Sequence, residues 1–205
     1  MRVVVDGREC DVDLGSDSVA KVIAACAAIA ERDGRMIVDI VVDGASWTAE
    51  DVEACEREGA SAQEVILTTA EPHALVSSMF GEAADALTDA CSLQEQAAEL
   101  LQADQKSDAM QSLNESLGIW VSVQQAVSQG TSLLGMSLDD LTIEGTPAEE
   151  VIQRLEQQLH TLFRQLEADD TVGLADTLLY EMPDVAEQWR GLLHEMRRRL
   201  ASLQQ

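Results

Sequence analysis

Four cysteines, three histidines and a few paired carboxylates are the residues of this 205-residue chain whose types can do chemistry. His73, His160 and His194 lie far apart in the chain, without the short spacing that brings two ligands onto one zinc ion. Cys10, Cys26, Cys55 and Cys91 are scattered and form no Cys-x-x-Cys; Cys10 and Cys26 fall in apolar stripes and read as small core residues. Acidic pairs recur at Asp11/Asp13, Asp139/Asp140, Glu149/Glu150 and Asp169/Asp170. The first reads as the wet face of a strand, and the last two as helix starts. No Asp-x-Asp-x-Asp-Gly loop exists, which excludes an EF-hand and leaves only weak, opportunistic Ca²⁺ binding. Gly-x-Ser-x-Gly and Gly-x-Gly-x-x-Gly are absent, and Gly130–Gly135 lacks the lysine of a P-loop and reads as a frayed helix end. The expectation is no enzyme, no cofactor and no metal. The remaining catalytic alternative is an enzyme of unrecognised type, with a polar site between two domains near His73.

Charge narrows the partners. The net charge is −25. Residues 1–72 carry 6 basic against 16 acidic side chains, and the rest 7 against 22. Neither part has the basic face that binds phosphate backbones, so nucleic acid is not expected, and anionic membrane surfaces are disfavoured. The one basic run, Arg197-Arg198-Arg199, reads as helix C-terminal cations that complement the helix dipole. No run of about twenty apolar residues exists, and no signal peptide precedes Arg2-Val3-Val4-Val5. A cytoplasmic protein is expected.

The elements that would position these residues change character near Pro72. Before it, Asp6-Gly7 signals a two-residue hairpin, and Cys10, Val12 and Leu14 alternate with acidic residues as in a half-buried strand. Ser16-Asp17-Ser18 offers helix caps, followed by an apolar stripe at Val19, Val22, Ile23, Cys26, Ile29 and Ala30, with Gly34 as the stop. Met36–Val42 reads as a strand ended by Asp43-Gly44. Thr48 caps a short helix through Cys55, with Trp47 before it as a hydrophobic staple, and Glu64–Thr69 is the last strand. Val3, Val5, Val38, Ile40, Val42, Val65 and Leu67 are expected to face the helix; Val4, Val41 and Ile66 face away.

This succession, with Gly15-Ser16-Asp17-Ser18-Val19 at the helix start and Ile40-Val41-Val42-Asp43-Gly44 in the third strand, resembles ubiquitin-like β-grasp domains over residues 1–72. The resemblance implies a mixed sheet with a parallel central pair and one crossing helix. It also implies that the outer sheet face, Val4, Val41 and Ile66, is a binding surface. The alternative occupant of that face is the protein's own helical domain. The last strand runs on through Thr69-Ala70-Glu71-Pro72 and the chain ends Leu203-Gln204-Gln205, without Gly-Gly, so conjugation chemistry is not expected.

Residues 73–205 carry no strand pattern. Apolar stripes at Leu75, Val76, Met79, Ala83, Leu87, Ala90, Ala97 and Leu101, then at Met110, Leu113, Leu117, Trp120, Val121 and Val127, predict two long helices that break near Ala103-Asp104-Gln105. The second is expected to end near Gln129, with a loop over Leu138–Gly145. Thr146-Pro147-Ala148-Glu149 reads as a capping box opening a third helix, with Ile152, Leu155, Leu159, Leu162 and Leu166 inward. Asp169-Asp170-Thr171 caps a shorter helix, and Val185, Trp189, Leu192, Met196, Leu200 and Leu203 line the last. The segment Asp170–Pro183, with Trp189, resembles an uncharacterised bacterial helical family.

The fold class expected is therefore α+β: an N-terminal β-grasp, then an all-α antiparallel bundle. The function expected is a protein–protein interaction or adaptor module, with a protein partner or self-association through Val4, Val41, Ile66 and Trp47. The alternative is a chaperone-like helical holder of an exported client, flagellar or secreted.

Overall fold

The computed structural model of the chain describes residues 1–10, 18–58, 62–139 and 141–203. The fold is α+β, a mixed sheet followed by a helical region, in two compact units, Met1–Leu75 and Val76–Gln205.

Two acidic-Gly turns shape the sheet. Asp6 and Gly7 both have positive φ, as do Asp43 and Gly44, so each pair closes a two-residue hairpin. The first joins β1 (Arg2–Val5) to β2 (Arg8–Glu9), and the second joins β3 (Met36–Val42) to β4 (Ala45–Ser46). The last strand, β5 (Glu64–Ala70), lies between β1 and β3, parallel to the first and antiparallel to the second. The strand order is β2-β1-β5-β3-β4. The expected alternation beyond Cys10, through Leu14, and the cap candidates Ser16 and Asp17 lie outside the described residues.

One face of the sheet carries α1 (Val19–Arg32). Val19, Val22, Ile23 and Cys26 pack against Val3, Val42, Val65 and Leu67, each such burial worth about 1.5–3 kcal/mol for a large aliphatic side chain. Ser18 stands at the N-cap with extended backbone. Gly34, with positive φ, ends the helix: its N–H donates to Glu31, and that of Arg35 to Ala30.

Val38 does not face the helix. The ladder pairs Ile37 with Thr69 and then Asp39 with Thr68, so a bulge absorbs one residue of β3 and reverses its alternation. Ile37 joins Ile40 and Val42 on the core side, and Val38 is 41 % exposed. Ile29 also leaves its stripe for the surface. The second helix of this unit, α2 (Ala49–Glu58), is opened by reciprocal hydrogen bonds between Thr48 and Asp51.

The helical region contains four long helices: α3 (Pro72–Gln102), α4 (Lys106–Leu134), α5 (Ala148–Glu167) and α7 (Met182–Leu203). A short α6 (Thr171–Asp176) passes through a π-helical turn, Thr177–Glu181, into α7. Asp170 caps α6 by accepting from the Gly173 N–H. At the centre the Trp120 and Trp189 rings meet edge to face, 5.9 Å apart.

Three expectations here are corrected. First, α4 continues past Gln129 to Leu134, and Gly130 is a buried notch rather than a frayed end. Second, a small hairpin, β6 (Thr142–Ile143) and β7 (Thr146–Pro147), closes through Glu144 and Gly145 at positive φ. That ladder takes Thr146, so α5 starts at Ala148 without a side-chain cap. Third, the inward faces differ in part. Phe80, Gln94, Ser112 and Ser116 are buried, while Val121 and Leu166 are exposed. Among the described residues no helix is long and apolar enough to cross a membrane.

Candidate partner-binding face

Strand register decides which side chains share the sheet's outer face. Val4 of β1 lies opposite Ile66 of β5, and Ile66 lies opposite Val41 of β3. Their chain neighbours Val3, Val65, Leu67 and Val42 belong to the core beneath α1. Because side chains alternate along a strand, Val4, Ile66 and Val41 form one apolar row across three adjacent strands, on the face opposite α1. Val4 is 9 % exposed, and Val41 and Ile66 are half-buried.

Acidic groups edge this row. Glu9 pairs with Val4 in the ladder, Glu64 precedes Ile66 by two, and Asp39 precedes Val41 by two, so all three share the face. Arg2 sits among them, its guanidinium 3.4 Å from Glu9 and 2.8 Å from Glu64. These pairs are solvent-exposed and contribute little stability, but they hold the long Arg2 side chain along the row.

The row's geometry is pinned from both ends. Asp43, in the β3–β4 turn, accepts from the Gln63 and Glu64 N–H groups at 2.9 and 2.8 Å, locking the start of β5. At the other end Asp6 accepts from the Thr69 N–H and hydroxyl, each at 2.7 Å. Arg35 donates to the Thr69 hydroxyl at 2.6 Å and its carbonyl at 2.7 Å. The Thr69 N–H, then its hydroxyl, then the Arg35 charge hold the Asp6 carboxyl below the ordinary carboxylate range.

Trp47 is not part of the row. Its N–H donates to the Ile40 carbonyl, and its ring packs on the helix-side core beside Val52. With Thr48 as cap, Trp47 and Val52 stand at the two positions of a hydrophobic staple, and both pack against the core. Three of the four expected partner-binding residues therefore come together, and the fourth serves the other side of the sheet.

The other candidate chemistry stays dispersed. His73 pairs with Glu71 at 3.0 Å, while His160 and His194 are exposed on α5 and α7. Among the described residues no group of three His, Cys, Asp or Glu side chains converges on a metal-sized site. In the basic run, Arg197 packs its guanidinium over Gly81 of α3 and Arg198 pairs with Glu195 at 2.7 Å.

Sequence reasoning missed the polar groups inside the helical unit. Gln94 falls on the same three-and-four rhythm as Leu87, Ala90, Ala97 and Leu101, which was the available signal. Its amide, the Ser116 hydroxyl and both central indole N–H groups are buried without a hydrogen-bond partner among the described residues.

Residues 78–192, from α3 into α7, match a family described as a domain of unknown function, DUF8042. The chain belongs to the DUF8042 family. No curated protein and no solved structure matches it. The DUF8042 match covers the tryptophan pair, the small hairpin and the π-helical turn, and begins after the sheet has ended.

Proposed function

We propose that the N-terminal unit is a ubiquitin-like β-grasp domain and that the protein is a non-enzymatic cytoplasmic interaction module. The strand order β2-β1-β5-β3-β4, with β1 and β5 parallel and α1 across one face, supports the domain assignment. The observation that carries the functional reading is the row Val4–Ile66–Val41. Three apolar side chains lie in register on one face, edged by Glu9, Asp39, Glu64 and the Arg2 that pairs with two of them. The partner it fits is a protein that presents an apolar centre ringed by lysine or arginine. Such basic groups complement Asp39 and compete with Arg2 for Glu9 and Glu64, and the net charge of −25 favours the encounter.

The test is a binding assay with Val41→Asp and Ile66→Asp in the full chain, with the fold monitored by circular dichroism. Both variants are expected to keep the fold and lose the partner. Unchanged capture by both removes the row as the site.

A second reading, a holder of an exported client helix, draws on one feature of the helical unit. Met79, Ala83 and Ala86 of α3 and Val123 and Ala126 of α4 line a groove of about 310 Å³, rimmed by Glu82, Gln125 and Gln129. An amphipathic helix with a basic flank suits that surface. In this reading Ala126→Glu abolishes binding, and Val41→Asp leaves it intact.

A further inference from the structure

Cys10 and Cys26 open onto one small cavity. Its volume is about 100 Å³, and Val5, Ile29, Ala30 and Arg35 contribute to its walls. Both thiols line this one pocket, and the Cys10 sulfur is close enough for its charge to act on Cys26. The two come from different elements. Cys10 follows β2 directly, and its N–H donates to the Val3 carbonyl at 2.8 Å, fixing it beside β1. Cys26 sits on the sheet-facing stripe of α1, buried. Both are reduced thiols, and each lies within electrostatic reach of the other.

Their environments differ in a useful way. Cys10 is half-buried and Cys26 is buried, so a reagent from solvent meets Cys10 first. Arg35 lines the same cavity, and burial, with Cys10 adding to it, pushes the Cys26 thiol up, so Cys26 suits the second, resolving step. The carboxylates of Asp6 and Asp33 also line the cavity, but Asp6 is already engaged by Thr69 and Arg35. Cys55 is buried in the same core, and Cys91 lies in the other unit, 3.9 Å from the Arg190 guanidinium.

We propose that Cys10 and Cys26 form an oxidisable dithiol, a modification site that a small-molecule disulfide closes into an internal disulfide bond. The Cys10 thiolate attacks one sulfur of the reagent, forming a mixed disulfide and releasing one thiolate. Cys26 then gives up its proton and attacks the Cys10 sulfur, forming the protein disulfide and releasing the second thiol. The two cysteines are oxidised by two electrons, and the reagent disulfide is reduced to two thiols. The new bond ties the β1–β2 hairpin to α1 across fifteen intervening residues, so the oxidised form is the more heat-stable one.

The experiment incubates the full chain with oxidised glutathione, then quenches with acid and maps disulfides by peptide mass spectrometry. Two of the four thiols are expected to disappear, with a Cys10–Cys26 linked peptide lighter by two hydrogen atoms. The melting temperature is expected to rise by about 5 °C or more. Cys26→Ala should stop at a stable glutathione adduct on Cys10, and Cys10→Ala should form no adduct. A persistent adduct on the unaltered chain, a bond through Cys55 or Cys91, or four free thiols after excess reagent would each overturn the proposal.

Discussion

Gly130 on α4 lies so close to Phe80 on α3 that a Cβ built on it would stand 2.6 Å from the ring's Cζ and 2.9 Å from Val76 Cγ1. Phe80 and Val76 are both fully buried, so neither has room to swing aside. The glycine is thus where two antiparallel helices come close, and its side is a notch that the phenyl ring fills.

Gly130→Ala should therefore destabilise the helical unit by about 1–3 kcal/mol, despite alanine's better helix propensity. Gly118, on the same helix, is exposed and has no heavy atom within 4 Å of a built Cβ. Gly118→Ala should stabilise by about 0.5–1 kcal/mol. Urea titration of both variants checks the pair, and equal signs would contradict the packing account.

The contrast between these glycines marks what could be read from the chain and what could not. Asp6-Gly7, Asp43-Gly44, the strand Met36–Val42 and the Thr48 cap were legible, because each follows from local backbone preference. Gly130 was not, because local preference names a helix breaker and only the facing Phe80 explains a glycine there. Val38 was misplaced because a bulge between Ile37 and Asp39 breaks the period of two, so that Ile37 rather than Val38 joins Ile40 and Val42 on the core side. Thr146 made a plausible cap until the positive-φ turn at Glu144-Gly145 drew it into a ladder. The outer row was legible from period two alone, since Val4, Ile66 and Val41 all lie on stretches without a bulge. Trp47 was read as a staple and as a partner-binding residue, and it packs against the helix-side core, away from that row.

Asp6 gives a pH signature. Its carboxyl is held below the ordinary range by the Thr69 N–H and hydroxyl, with Arg35 adding to them. A carboxylate depressed in the folded state stabilises above its unfolded value, and that contribution is lost as pH falls through the folded value. Asp6→Asn keeps a residue type that tolerates positive φ and removes the charge. It should lower stability at neutral pH by about 0.5–1 kcal/mol, allowing for solvent screening. Between neutral pH and about pH 3, the variant's stability should fall less steeply than that of the unaltered chain. Thermal melts across that range decide it, and parallel curves would contradict the Asp6–Thr69 assignment.

The tryptophan pair separates ring packing from hydrogen bonding. Trp189 is buried edge to face on Trp120, and its indole N–H has no protein acceptor among the described residues. Trp189→Ala should cost about 3–5 kcal/mol through the void it leaves. Trp189→Phe keeps an aromatic edge and removes an unpartnered donor, so it should cost less than about 2 kcal/mol. Chemical denaturation of both variants tests this, and equal losses would show that the N–H, rather than the ring, is what matters.

The most direct test of the partner-binding face is site-specific photo-crosslinking in cells. A benzophenone amino acid is placed at Val41, at Ile66 and, as a comparison, at Lys21, which is exposed on α1 across the sheet. Positions 41 and 66 are predicted to capture the same protein, identifiable by mass spectrometry, and position 21 to capture none. Equal capture from all three positions, or none from 41 and 66, would contradict the assignment of Val4, Ile66 and Val41 as the docking row.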